Sequence, residues 1–96
     1  MSLREIKFDW DQWNIQKNEI KHGVSRLEAE SVFFDPKLKL FEYIKHSTRI
    51  ESRWVGYGES KVQRILMIAF TLRNENIRII SARPASKKER SVYFEK

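Results

Sequence analysis

The chain has 96 residues, of which 41% are hydrophobic and 33% charged, a balance that supports one domain around one core rather than a disordered chain. The 19 Lys and Arg residues against 13 acidic ones leave a net charge of +6, a field that attracts polyanions, nucleic acid first and acidic proteins or anionic lipid after it. Cysteine is absent, the two histidines (His22 and His46) lack HxxxH spacing, and no apolar run approaches the ~20 residues of a membrane helix, which excludes disulfides, thiolate chemistry and a membrane span and leaves no metal or other cofactor to expect.

In chain order, residues 6–10 alternate as Ile-Lys-Phe-Asp-Trp and predict a short first strand. Asp9 or Asp11 then caps a helix that runs to about Lys21, with Trp13, Ile20 and the stem of Lys17 on one side. Gly23 ends it. Ser25 with Glu28 reads as a capping box for a second helix, whose apolar side is Leu27, Ala29, Val32 and Phe33. Asp35-Pro36 stops that helix, because proline disfavours a helical residue before it.

The middle of the chain reads as strands over 38–44, 49–57, 62–73 and 77–83. Within 49–57, Arg49, Glu51, Arg53, Val55 and Tyr57 fall on one side, and Ile50, Trp54 and Gly56 on the other. Gly58–Lys61 predicts one hairpin turn and Asn74–Asn76 a second. The stretch 62–73 is the most apolar, as a central strand should be. Pro84 is expected to stop the sheet, and Ser86 with Glu89 opens a last helix through Tyr93. The expected fold is α+β: a short strand, two helices, an antiparallel meander of three to four strands, and a C-terminal helix, in one domain over 1–96. Nothing at the start reads as a signal segment, so the expected location is the cytoplasm.

Two segments, Lys21-His-Gly-Val-Ser25 and Ile77-Arg-Ile-Ile-Ser-Ala-Arg83, resemble signature segments of BrnT-type toxins. Phe8-Asp-Trp-Asp11, Asn18, Glu28-Ala29, Val32-Phe33, Asp35-Pro36, Arg53, Gly58, Arg64, Thr71, Arg73, Ala85 and Glu89 with Tyr93 fit the same pattern. The likeness spans nearly the whole chain from Phe8, and Arg78–Arg83 followed by Ala85 is its most specific part. The resemblance implies a RelE-like fold, ribonuclease activity, and a BrnA-type antitoxin with a ribbon-helix-helix domain, through which alone operator DNA would be bound. Asn14, Arg26 and Pro84 depart from the family pattern. They keep open a second reading, a non-catalytic module that only binds its antitoxin.

Metal-free RNA cleavage needs a group to align or deprotonate the 2′-hydroxyl, cations to hold the charge that builds on phosphorus, and a donor for the leaving 5′-oxygen. Arg53, Arg78 and Arg83 are the candidates for the charge, since a planar guanidinium grips phosphate with two donors and stays protonated. Several of them on adjacent strands would converge on one phosphate, or else form plain ion pairs such as Arg53 with Glu51 or Arg83 with Glu89. His22 is the candidate acid or base, or else a C-terminal helix cap, the reading its place before Gly23 favours; His46 sits in a polar loop. Lys21, Arg64, Lys87, Lys88 and Arg90 are candidate RNA contacts, and Tyr93 either stacks on a base or packs its helix onto the sheet.

Overall fold

The computed structural model describes residues 6–44 and 51–95, and short elements follow one another along them. They are β1 (Phe8–Asp9), α1 (Gln12–His22), α2 (Arg26–Ser31), a 3-10 turn (Val32–Phe34), β2 (Lys39–Glu42), β3 (Arg53–Glu59), β4 (Ile65–Arg73), β5 (Asn76–Pro84) and α3 (Lys87–Phe94). The class is α+β, as expected from the order of the elements.

The helix ends follow local chemistry. The Asp11 carboxylate accepts from the Trp13 N–H at 2.8 Å and starts α1. Gly23, at φ +64°, ends it by returning its N–H to the carbonyls of Asn18 and Glu19. Ser86 and Glu89 form both halves of the capping box on α3. The expected box on α2 is only half made. Ser25 Oγ accepts from the Glu28 N–H, but the Glu28 carboxylate leaves the helix to meet Arg64 and Ser60.

The strands form one sheet in the order β1-β5-β4-β3-β2. Strands β2 to β5 are an antiparallel meander, and β1 joins the far edge parallel to β5. The first hairpin turns later than expected. Gly58 and Glu59 remain in β3, and Ser60 donates to the Arg64 carbonyl across the turn at 2.9 Å. The second is a tight turn through Asn74 and Glu75, both at positive φ, which leaves Asn76 free to begin β5. Pro84 still pairs with Leu66, so the sheet ends one residue beyond the point expected.

One face of the sheet makes the core. Leu66, Ile68 and Phe70 of β4 with Ile79 and Ala82 of β5 pack against Val24, Ala29 and Val32 of the helical segment. On α1, however, the expected apolar side is solvent-facing: Trp13 is 71% and Ile20 85% exposed, and the buried residue is Asn18. Leu27 of α2 is exposed as well. The reason lies in β5, where α1 packs over backbone groups that the strand ladder leaves unpaired. Lys17 Nζ reaches the Ile80 carbonyl at 3.4 Å, and Asn18 Oδ1 accepts from the Ala82 N–H at 3.1 Å. The polar strip on the helix meets these groups through Lys17 Nζ and Asn18 Oδ1, while Asn18 Nδ2 is buried without a partner among the described residues.

Where β3 passes under the 3-10 turn there is no room for a side chain. A Cβ on Gly58 would lie 2.5 Å from Val32 Cγ1 and 3.0 Å from Leu38 Cδ1. Gly58→Ala is therefore expected to lower stability by about 2 kcal/mol through overpacking, read as a reduced urea midpoint at unchanged slope. An unchanged midpoint would mean that Val32 has more freedom than its buried position implies.

Candidate RNA-binding face of the sheet

The face away from the core carries the candidate arginines, and a bulge is what puts them together. Along a regular strand, side chains alternate, so Arg78 and Arg83, five positions apart, would point to opposite faces. In β5 the pairing runs Ala69 with Ser81 and then Phe70 with Ile79, which leaves Ile80 without a partner. That extra residue shifts the alternation by one. Arg78 then lines up with Thr71, and Arg83 with Met67, on the same face. On β3, Arg53, Val55 and Tyr57 also lie on this face, opposite Thr71, Ala69 and Met67.

Arg83 sits at the rim of a concavity of about 430 Å³ whose lining includes Phe41, Val55, Tyr57, Met67 and Glu89. Its guanidinium is held end-on by Glu89, with Nη1–Oε1 at 2.7 Å and Nη2–Oε2 at 2.8 Å, and Nη1 also donates to the Pro84 carbonyl at 3.2 Å. A guanidinium has five N–H donors, so the Nε–H and the second Nη2–H, which share one edge of the group, are not used in these bonds. Glu89 is in turn fixed by the Ser86 N–H at 2.8 Å in the capping box, so the start of α3 sets where Arg83 points. The Arg83 guanidinium holds the Glu89 carboxyl below its ordinary value, and the Glu89 ion keeps Arg83 charged. Burial and the nearby Glu89 charge push the Tyr57 phenol up from its ordinary value.

Arg53 and Arg78 lie four residues further along the strands, about 14 Å from the Arg83 row at ~3.4 Å per residue. Arg53 pairs with Glu51 at 3.5 Å, and Arg78 with Asp9 at 3.7 Å and Asp11 at 3.5 Å. In the ion pairs of this structure the three guanidinium groups do not meet at one point. They share a face but stand at its two ends.

A family model described as "Ribonuclease toxin, BrnT, of type II toxin-antitoxin system" matches residues 10–89. The chain belongs to the BrnT toxin family. Among solved structures it is similar to the ribonuclease toxin BrnT of Brucella abortus, with 27% identity and a TM-score of 0.61 over 85% of this chain and 99% of that one. No match is found among curated proteins. Membership of a type II toxin–antitoxin family means that the chain has an antitoxin partner.

Other candidate residues of this BrnT-family chain fall elsewhere. Lys21 and His22 close α1 on the helix-covered side of the sheet, remote from the Arg83 face, with His22 in the last turn, where a basic residue suits the helix end. Arg64 lies on that side too. Its Nε and Nη2 grip both oxygens of buried Glu28 at 2.6 Å, and Nη2 also donates to the Gly23 carbonyl at 2.7 Å. Together these bonds tie the first hairpin to both helices. Lys87, Lys88 and Arg90 are exposed beside Glu89 on α3, and Arg90 donates to the Ala85 carbonyl. Tyr93 is 5% exposed and its hydroxyl donates to Asp35 at 2.5 Å, so it packs α3 down and offers no ring to a base. His46 and Arg49 lie outside the described residues. Among the described residues no cluster of His, Asp and Glu is placed to hold a metal ion, and no helix is long and apolar enough to cross a membrane.

Phe41 and Tyr57 escaped the sequence reading as site residues. The signal for Tyr57 was present, since it alternates in step with Arg53 and Val55. Phe41 had none, because its place beside Tyr57 comes from the pairing of β2 with β3.

Acid should loosen this structure. The hydrogen bond from Arg64 depresses the Glu28 carboxyl, and Arg83 depresses Glu89. Burial alone would raise Asp35, but donors from Glu59, Tyr93 and Lys37 hold it down. A carboxyl with a depressed folded value contributes stability that is complete above its unfolded value and is lost as pH falls through the folded one. The urea midpoint is thus expected to fall on acidification from about pH 5 to about pH 3. Arg64→Ala should cost about 2 kcal/mol at neutral pH, below the range for a fully buried pair because Arg64 is part-exposed, and should flatten that acid slope. A slope identical to wild type would show that Glu28 is not a source of it.

Proposed function

We propose that this BrnT-family chain is a metal-independent endoribonuclease that cuts RNA in the cytoplasm and so inhibits translation and growth. The observation that carries this reading is Arg83. It is held rigidly by Glu89, with one edge of its guanidinium left for a phosphate, at the mouth of a concavity on a face that also presents Arg53 and Arg78. In such cleavage the RNA 2′-oxygen bonds to phosphorus, the P–O5′ bond breaks, the 2′ proton leaves and the 5′-oxygen gains one. The extra charge on the phosphoryl oxygens is what a fixed arginine fork stabilises. Arg53 and Arg78 hold the strand further along, and Lys87, Lys88 and Arg90 draw it in by charge. The partner that restrains the toxin is an antitoxin of the BrnA type, with a ribbon-helix-helix domain that alone touches operator DNA.

A second reading rests on the ion pairs. Arg53, Arg78 and Arg83 each already face a carboxylate, as they would in a module that only binds its antitoxin. One assay separates the two. Purified, folded protein is incubated with single-stranded RNA in a metal chelator, and fragments ending in 2′,3′-cyclic phosphate are expected. Intact RNA at every protein concentration, with antitoxin binding preserved, would leave the binding module as the function.

A further inference from the structure

The concavity beside Arg83 is lined by aromatic and apolar side chains as well as by charged residues, Glu42 and Glu89 among them. Phe41 and Tyr57 stand with ring centroids 5.5 Å apart and planes tilted by 52°, with Val55 and Met67 lining the same hollow. Phe41 lies on edge strand β2 and is 43% exposed, so the hollow is open to an entering group from that side. A soluble domain gains nothing in stability from aromatic surface left open to water. Unpaired RNA bases, in contrast, stack on aromatic side chains whatever their sequence. We propose that this hollow binds a single unpaired nucleobase of RNA, face-on to one of the two rings, Phe41 or Tyr57, and edge-on to the other, with the adjoining phosphate on the free edge of Arg83.

The chemistry of the two parts agrees with that ligand. Most of the lining is aromatic or aliphatic (Phe41, Tyr43, Val55, Tyr57 and Met67) and suits the flat face of a base. The rim offers the Nε–H and Nη2–H of Arg83, which match two phosphate oxygens. Tyr57, a neutral phenol at physiological pH, adds a hydroxyl donor without a charge that would repel the backbone. The proposal names the substrate contact of the ribonuclease reading and rests on that reading, but the two can fail separately.

The test measures binding by NMR shift perturbation for adenosine 5′-monophosphate, uridine 5′-monophosphate, ribose 5-phosphate and a single-stranded RNA hexamer. Both nucleotides are expected to bind roughly 10-fold more tightly than ribose 5-phosphate, and the hexamer more tightly still. Phe41→Ala and Tyr57→Ala should each lose most of the preference for a base, and Tyr57→Phe should recover what Tyr57→Ala loses. Equal binding of ribose 5-phosphate and the nucleotides would overturn the proposal. So would an unchanged preference in both alanine variants. Nucleotides binding with no gain for the hexamer would assign the hollow to free nucleotides and overturn it as an RNA site. RNA cleavage without a base preference sinks the base site alone, and base preference without cleavage sinks the nuclease reading alone.

Discussion

Arg83→Ala is expected to lower RNA cleavage about 100- to 1,000-fold, the loss that follows removal of one preorganised donor to a developing oxyanion. The chain should remain folded. The side chain is about one-third exposed, and its partner Glu89 keeps the Ser86 N–H bond of the capping box when the guanidinium is gone. The loss should appear in kcat more than in KM, since the charge it answers is largest in the transition state. Arg83→Lys should recover little. An ammonium restores the charge but not a fork that can hold Glu89 and a phosphate on two different edges. A full-rate Arg83→Ala enzyme would move the reaction to the other end of the face, and Arg78→Ala would then be the variant to lose activity. That second arginine is 22% exposed and set between Asp9 and Asp11.

Asn18→Ala is expected to act on both stability and activity from the far side of the sheet. The Asn18 side chain is buried and its Oδ1 takes the Ala82 N–H next to the bulge at Ile80. Without it, that N–H is buried without a partner and a small cavity opens, offset in part by loss of the Asn18 Nδ2, itself buried without a partner, for a net cost of about 1–2 kcal/mol. The larger consequence is geometric. With its support removed, the β5 bulge is free to shift or regularise, and any regular register turns Arg83 or Arg78 away from the face that carries Arg53. A fall of about 10- to 100-fold in kcat is expected under conditions where the variant is fully folded, with faster amide exchange at 80–82. Lower stability with wild-type kcat and unchanged exchange would show that β5 holds its bulge without α1.

Much of this architecture was legible beforehand. Asp11, Ser25 and Ser86 are the caps they resemble, Gly23 is the left-handed stop, and the apolar run in 62–73 is the central strand β4. These follow from hydrogen bonds and alternation within a few residues. The errors share one cause. Trp13, Ile20 and the stem of Lys17 share one side of α1 by spacing, yet Trp13 and Ile20 face solvent, because the helix meets a gap in a strand ladder and needs Lys17 and Asn18 there. Glu28 has the spacing of a capping box, but a buried charge prefers the fork of Arg64 to a helix N–H.

The site divides the same way. Residue type alone showed that Arg53, Arg78 and Arg83 are suited to phosphate, and the family pattern pointed to the same segments. Their arrangement was not there to be read. Whether Arg78 and Arg83 share a face depends on a single unpaired residue at Ile80, and a bulge is decided by what packs over it rather than by the strand's own pattern. Whether Phe41 meets Tyr57 depends on how β2 pairs with β3. By itself, then, the sequence determined the elements, their caps and the chemistry of the basic residues, because those depend on near neighbours along the chain. Only the tertiary structure decided that three arginines lie on one face, that Arg83 stands apart from the other two beside an aromatic hollow, and that Arg64 and Tyr93 are structural, because each depends on contacts between residues far apart in the chain.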